Sequence, residues 1–388
     1  MRTPLCDAFG IDVPIFAFSH CRDVVAAVTN AGGFGVLGAL AFSNEQLEIE
    51  LRWIDEHVDG KPYGVDVVMP ARYAGKEEGL GVEGRTPADP AAFARLVPQA
   101  QRDWIEGVLA EYGVPKLPEG APRRSEGGLL GWTDAGGRGQ VEVALRHPIR
   151  LLVNALGPPP VDVIEQAHAH GVKVAALVGT VEHALRQKAQ GVDLIVAQGT
   201  EAGGHTGEIG SLVLIPDVVD AVSPTPVLGA GGIASGRQAA AALALGAQGV
   251  WTGSVWLTVA ESETSPLVKQ KLLRAGSRDA VRSRSLSGKP ARLLRTAWTE
   301  AWERPDCPGT LPLPLQYLAC ADAQARIAHF ARSPASRARE LVGMPVGQVV
   351  GRLREEQKTA EVMRAFMEEF VDAVERLDGM LAAAEHDR

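Results

Sequence analysis

The chain lacks the usual signatures of metal and nucleophile chemistry. It has no CxxC pair, no HExxH motif, no carboxylate cluster and no GxSxG, and its HxH spacing, His168 and His170, falls on a helix-like stretch. Structural zinc sites, metallopeptidases and serine hydrolases of the common kinds are therefore not indicated. The cysteines, Cys6, Cys21, Cys307 and Cys320, are scattered, which predicts free thiols in a reducing cytosol. Positive charge is short as well. Lys and Arg number 39 against 47 Asp and Glu, a net charge of -8 with no long run of either sign. Nucleic-acid binding needs a basic face, so no nucleic-acid partner is expected. Long hydrophobic runs are also absent. Val13–Phe18 is too short for export or for spanning a membrane, and elsewhere Gly and charge break each apolar stretch. A cytoplasmic protein without a membrane partner is expected. No fixed-period repeat or low-complexity tract occurs.

What the chain does have is a regular beat. Its 388 residues, 46% of them hydrophobic, suffice for one large α/β domain with additions. Strand-like runs alternate with helix-like ones from residue 14 to 253. Pro14–Phe18, Phe34–Gly38 and Tyr63–Met69 read as the first three strands, with helices over Arg22–Asn30 and Ser43–His57 between them. Ser43 or Asn44 is placed to cap the second helix. Ile149–Asn154, Val172–Val178 and Asp193–Ala197 follow as strands four to six. Thr225–Gly229 and Gly249–Gly253 complete eight. Helices are expected at Val161–His170, Thr180–Gln190, Leu212–Val222 and Ser235–Leu245.

Strands this uniformly apolar are buried on both faces, which argues for an α/β fold with a closed parallel barrel of the TIM (β/α)8 type. An open doubly wound sheet shares the same beat. Pro70–Gly139 interrupts it with Pro, Gly and charge and one helix-like piece, Pro98–Tyr112. Roughly 70 residues far exceed the 2–6 usual for a barrel loop, so this is an insertion, expected as a lid or interface element. The domain reading is a barrel over 1–265 interrupted by the insertion at 70–140, then a helical C-terminal extension over 266–388 packed on it. Within the extension, Pro266–Arg274, Ala291–Glu303 and Ala323–Ala331 read as helices. Val349–Ala384 reads as a long amphipathic helix with room for one break. Its apolar positions Val362, Phe366, Phe370, Val374 and Leu377 would pack on the domain or serve a homodimer contact.

Barrel active sites lie at the C-terminal ends of the strands. That mouth would collect Ala17, Phe18 and Ser19, Asp66 to Met69, and the stretch Gln198–Gly210 (QGTEAGGHTGEIG) after strand six. A glycine-rich loop admits a flat ligand close to the backbone, and His205 is the side chain there able to exchange a proton near neutral pH. Gln198 offers a donor and an acceptor to a heteroaromatic edge. Glu201 and Glu208 flank the histidine and could orient it. Gly229–Ala234 (GAGGIA) and Trp251–Ser254 (WTGS) place two glycine clusters after strands seven and eight, where phosphate groups commonly bind in barrels. A phosphate-bearing ligand is expected there. His20 could reach the mouth only from behind other groups. His168 and His170, at i and i+2 on a helix, point apart and make a poor metal pair; no metal is expected.

QGTEAGGHTG followed by GAGGIASGRQAAAALALGAQGVWTGS resembles the nitronate monooxygenase (2-nitropropane dioxygenase-like) flavoproteins. It is also similar to their sister branch, the FMN-dependent enoyl-acyl carrier protein reductases. Pro14–Ala17, Ala31–Gly35 and Ser287–Arg292 (SGKPAR) fit the same pattern. The resemblance implies an FMN-bearing oxidoreductase acting on a small-molecule nitronate or nitroalkane with O2. It implies cofactor contacts at Ala17, Phe18, Ser19, Asp66, Gln198, Gly203, Gly231 and Gly232, with the phosphate also on Thr252, Gly253 and Ser254. It makes His205 the catalytic base or the anchor for an anionic nitro group. The alternative it leaves open is an NAD(P)H-dependent FMN enoyl-thioester reductase. Two departures stand out. Phe18–Cys21 (FSHC) replaces a Met-Ala-Gly-Gly-like stretch, and Asp66 stands where asparagine is usual.

Overall fold

Eight parallel strands close into a barrel in the computed structural model, which describes residues 1–70, 72–74, 76–77, 80, 90–120 and 133–386. The strands are β1 (Ile15–Ser19), β2 (Phe34–Gly38), β3 (Gly64–Val67), β4 (Leu151–Asn154), β5 (Lys173–Val178), β6 (Leu194–Gln198), β8 (Val227–Ala230) and β9 (Gly249–Thr252). A two-residue strand, β7 (Gly204–His205), lies between β6 and β8 in the chain but outside the barrel. The ring closes where β9 pairs with β1, Val250 opposite Ile15. The closed TIM-barrel expectation holds, and the open sheet does not.

Strand alternation explains why both faces read as apolar. Ile15, Ala17, Val65, Val174 and Ile195 turn outward and pack under the helices. Phe16, Phe34, Val153, Val196 and Leu228 turn inward and fill the barrel. The far end of the barrel is plugged by a short helix, Pro4–Phe9, whose Leu5, Cys6 and Phe9 join the inner cluster. The Phe9 ring meets Phe16 and Phe34 edge-on at 5.3 and 5.2 Å. One end of the barrel is thereby filled, and the other carries the loops.

Ser43, not Asn44, caps the Asn44–His57 helix, its hydroxyl accepting from the Gln46 N–H. The Gly236–Ala244 helix is capped likewise by Ser235. Between β3 and β4 the expected helical piece appears as Gln99–Glu111, with Pro90–Arg95 before it. Much of the rest of the expected insertion lies outside the described residues. A further helix, Asp134–Ala144, packs on β3 and on Asn44–His57. Its three glycines, at 136, 137 and 139, hide it from a propensity reading. Gly137 is required there, because a β-carbon would overlap the Met69 side chain.

Ala291–Glu303 departs from the expected single helix. Ala291–Leu294 is a strand, β11, pairing antiparallel with β10 (Ala280–Ser283) on one side and with β7 on the other. Only Ala297–Ala301 is helical. Long-range pairing has overridden local helix preference. The terminal region breaks once, into a short 3-10 turn at Gln348–Arg352 and a helix over Thr359–His386. Val362 and Phe366 are buried against the barrel's outer layer. Val374 and Leu377 are exposed, because the helix outruns the surface it packs on. Among the described residues, no helix is long and apolar enough to cross a membrane.

Candidate active site

A cavity of about 340 Å³ opens at the mouth of the barrel, walled by the loops after nearly every strand. Of the residues expected to meet there, Phe18, Ser19, Asp66, Gln198, Gly203, His205, Gly231, Gly232, Gly253 and Ser254 all line it. Ala17 and Thr252 do not. Both alternate outward on their strands; Ala17 packs under the helices. Thr252 donates its hydroxyl to the Phe16 carbonyl and accepts from the Trp256 indole N–H. That hydroxyl is occupied by the scaffold, so a phosphate would meet the neighbouring Gly253 and Ser254 instead.

The glycines explain the shape of the cavity beside β8 and β9. Gly231 and Gly232 stand at φ +90° and +72°, where a side chain is strained, and a β-carbon on Gly231 would press on the Gly199 backbone. A β-carbon on Gly253 would meet no protein atom closer than the Phe18 ring at 4.0 Å, so it would project into open space. Ser254 Oγ accepts from the Gly347 N–H at 2.8 Å, which leaves its own proton to donate. The helix beginning at Gly236 starts just beyond this loop. Backbone amides and a hydroxyl proton thus converge without any nearby carboxylate in play. The one candidate, Glu201, is committed elsewhere: it accepts from the Ser211 N–H and hydroxyl at 3.0 to 3.1 Å, at the start of the Ser211–Val222 helix.

His205 is held by β7. Its backbone pairs with Ala291 and that of Gly204 with Arg292, so the loop is fixed as an edge strand on the β10–β11 pair. The buried Arg292 guanidinium reinforces this, donating to the Thr200 carbonyl at 2.9 Å and to the Ala280 carbonyl at 2.8 Å. The imidazole Nε2 lies 2.6 Å from Ser287 Oγ. Which of the two donates is set by the tautomer. Neither Glu201 nor Glu208 is bonded to the ring; Glu208 pairs at the surface with Arg282. Ser287 is the functional residue that reasoning from loop positions missed. Its only sequence signal was the SGKPAR stretch.

Two titratable groups facing the cavity are displaced from their ordinary values. Burial, and secondarily the positive charge of Lys289, push His205 down to about 4. The ring is therefore neutral at physiological pH. Asp66 is only 4% exposed, and burial raises its carboxyl well above the ordinary range. Among the described residues its carboxyl has no hydrogen-bond partner, and the side chain lines the cavity. Gln198 likewise shows no side-chain partner. His20, expected to sit behind other groups, lines the cavity and bonds the Gly38 carbonyl through Nδ1 at 2.8 Å.

The His205 shift carries a sign. The folded value lies below the unfolded one of about 6.5. As pH falls between about 6.5 and 4, the unfolded chain binds the proton that the folded chain refuses, so stability falls with it. Lys289→Met removes the second cause and should raise the titration midpoint of the imidazole, read from its proton chemical shifts. A midpoint that does not move would acquit Lys289.

A family model described as nitronate monooxygenase matches residues 3–369. The chain is 55% identical over 381 residues to a Mycobacterium tuberculosis (strain H37Rv) protein that carries the name monooxygenase Rv1533, covering 98% of this chain and 100% of the other. It is 28% identical to a Staphylococcus haemolyticus protein named as a nitronate monooxygenase, over 77% and 80% of the two chains. Among solved structures, nitroalkane oxidase from Streptomyces ansochromogenes superposes with a TM-score of 0.75 at 25% identity, covering 96% of this chain and 99% of that one. FabK from Thermotoga maritima superposes with a TM-score of 0.71 at 25% identity, covering 98% and 99%.

Proposed function

The chain belongs to the nitronate monooxygenase family, and from that premise we propose that it oxidises alkyl nitronates with O2, using FMN at the mouth of the barrel. The observation that carries this reading is the neutral, partly buried His205, tied to Ser287 and facing the same cavity as the glycine loops after β8 and β9. The residues present fit FMN. Gly231, Gly232, Gly253 and Ser254 would hold the phosphate, while Gln198 and the buried Asp66 would meet polar edges of the ring. When bound, FMN supplies the two-electron redox chemistry.

The low value of His205 favours one form of substrate. An imidazole with a conjugate acid near 4 is a weak base for the α-proton of a neutral nitroalkane. It is well placed for a substrate that arrives already ionised. A nitronate brings negative charge beside the ring, which raises the imidazole's proton affinity and turns it into a charged hydrogen-bond donor. Lys289 adds positive charge nearby. Ser287 holds the ring so that this charge meets the nitro oxygens rather than bulk water. His205 is thus an anion anchor first, and the substrate is the nitronate rather than its neutral parent.

The test is the visible spectrum of the FMN-loaded protein mixed anaerobically with ethyl nitronate. The flavin band should bleach, and recover when air is admitted. A band that ignores the nitronate but bleaches with NAD(P)H would overturn the reading in favour of enoyl-thioester reduction.

A further inference from the structure

We propose that a second cavity, outside the barrel mouth, binds a small amphipathic monoanion: a carboxylate on a short aliphatic body. This cavity of about 370 Å³ lies between the Ser211–Val222 and Gly236–Ala244 helices, under the turns at Ser277–Asp279 and Gln348–Arg352. Gly231, Gly232 and Ile233 line both cavities, so a single thickness of chain divides them. The space stays open because Ala241 and Ala242 present only methyl groups to it and the two glycines present none. Its helical wall is apolar. Ile215 is buried there, and Leu212 lines it while remaining 72% exposed, more than any other large apolar side chain among the described residues. An aliphatic body laid on Leu212 would take that surface out of water.

The two turns supply the polar side. Ser277, Gln348 and Arg352 line the cavity, and among the described residues none of their side chains bonds to another group. A β-carbon on Gly351 would overlap Ser277 Oγ, so the turns touch and the three groups share one side of the cavity. The second turn is anchored, its Gln348 N–H donating to the Glu201 carbonyl at 2.9 Å. A guanidinium, a hydroxyl and an amide held together offer several donors and one positive charge, which suits the two oxygens of a carboxylate. The carboxylate in the lining, Glu201, accepts from the Ser211 N–H and hydroxyl, and the charge of Arg292 offsets its own. Arg352 is therefore left to pair with a ligand.

The test follows the methyl resonances of Leu212, Ile215 and Leu245, which line this cavity and not the barrel mouth. The full-length protein, with and without FMN, is titrated with hexanoate, and those methyls should shift and saturate. Hexan-1-ol keeps the body and drops the charge, so it should bind at least ~10-fold more weakly, the worth of a charge-assisted hydrogen bond. Hexylammonium should be weaker again. Arg352→Met removes the charge from an exposed side chain with no protein partner among the described residues, and hexanoate should then bind no better than hexan-1-ol. Ala241→Phe fills the cavity and should abolish both. Equal affinity for hexanoate and hexylammonium, or hexanoate binding unchanged in Arg352→Met, would overturn the site. So would shifts confined to Leu156 and Leu286 of the barrel mouth, or methyls that stay still at about 10 mM hexanoate. The site does not depend on the nitronate reading, and a protein that oxidises no nitronate should still bind hexanoate here.

Discussion

His205→Ala is expected to lower kcat/KM for an alkyl nitronate by about 10²- to 10³-fold while the protein still binds FMN. The magnitude is that of removing one preorganised donor aimed at developing or resident negative charge. FMN binding should survive, because the phosphate end is built from Gly231, Gly232, Gly253 and Ser254, none of which leans on the imidazole. His205→Gln separates two contributions. It keeps a neutral group able to bond Ser287 but cannot take up the proton that an arriving anion induces, so it should recover little of the rate. Equal steady-state kinetics in wild type and His205→Ala would take the histidine out of the reaction altogether.

The largest effect on stability is expected from Gly288→Ala. Gly288 stands at φ +82°, and a β-carbon there would overlap the carbonyl oxygen of Leu311. The left-handed conformation alone costs about 1 kcal/mol or a little more for alanine. Overlap with main chain, which cannot swing aside, adds about 1–3 kcal/mol. Gly60→Ala is the control. Gly60 has a similar φ of +70° but no atom near its missing β-carbon, so it should lose only the conformational part. Thermal unfolding of the pair should therefore separate clearly, and equal midpoints would refute the overlap. Because Gly288 follows Ser287, any backbone shift that relieves the clash also moves the hydroxyl that holds His205.

The parallel sheet was legible because each of its strands is a short apolar run closed off by glycine or a turn and buried on both faces; its closure, which the same beat does not distinguish from an open sheet, is seen in the pairing of β9 with β1. The glycine-lined side of the cavity was legible for a related reason. Glycine at 231 and 232 is demanded by backbone angles that other residues resist. The His205 platform was hidden. A two-residue strand has no periodicity to detect, and the partner that holds it, Ala291–Leu294, carries a helix-like pattern that only long-range pairing cancels. Ser287 stayed unseen as the partner of His205 because 82 positions separate them. Ala17 and Thr252 were expected at the cofactor from their place in the motifs, whereas strand alternation turns their side chains to the helices.

The close packing of the last long helix on Gly236 has a consequence for the order in which the site is made. A β-carbon on Gly236 would collide with the main chain of Phe366 and Phe370, so the two backbones touch directly. That wall lies roughly 130 positions downstream of the helix it braces. A ribosome delivers the chain from its first residue, and domains generally fold in that direction. All eight barrel strands have left the ribosome while Thr359–His386 is still to be translated. A nascent chain at that stage carries all eight strands but lacks the wall behind Gly236, and a chain truncated before Thr359 would lack it permanently.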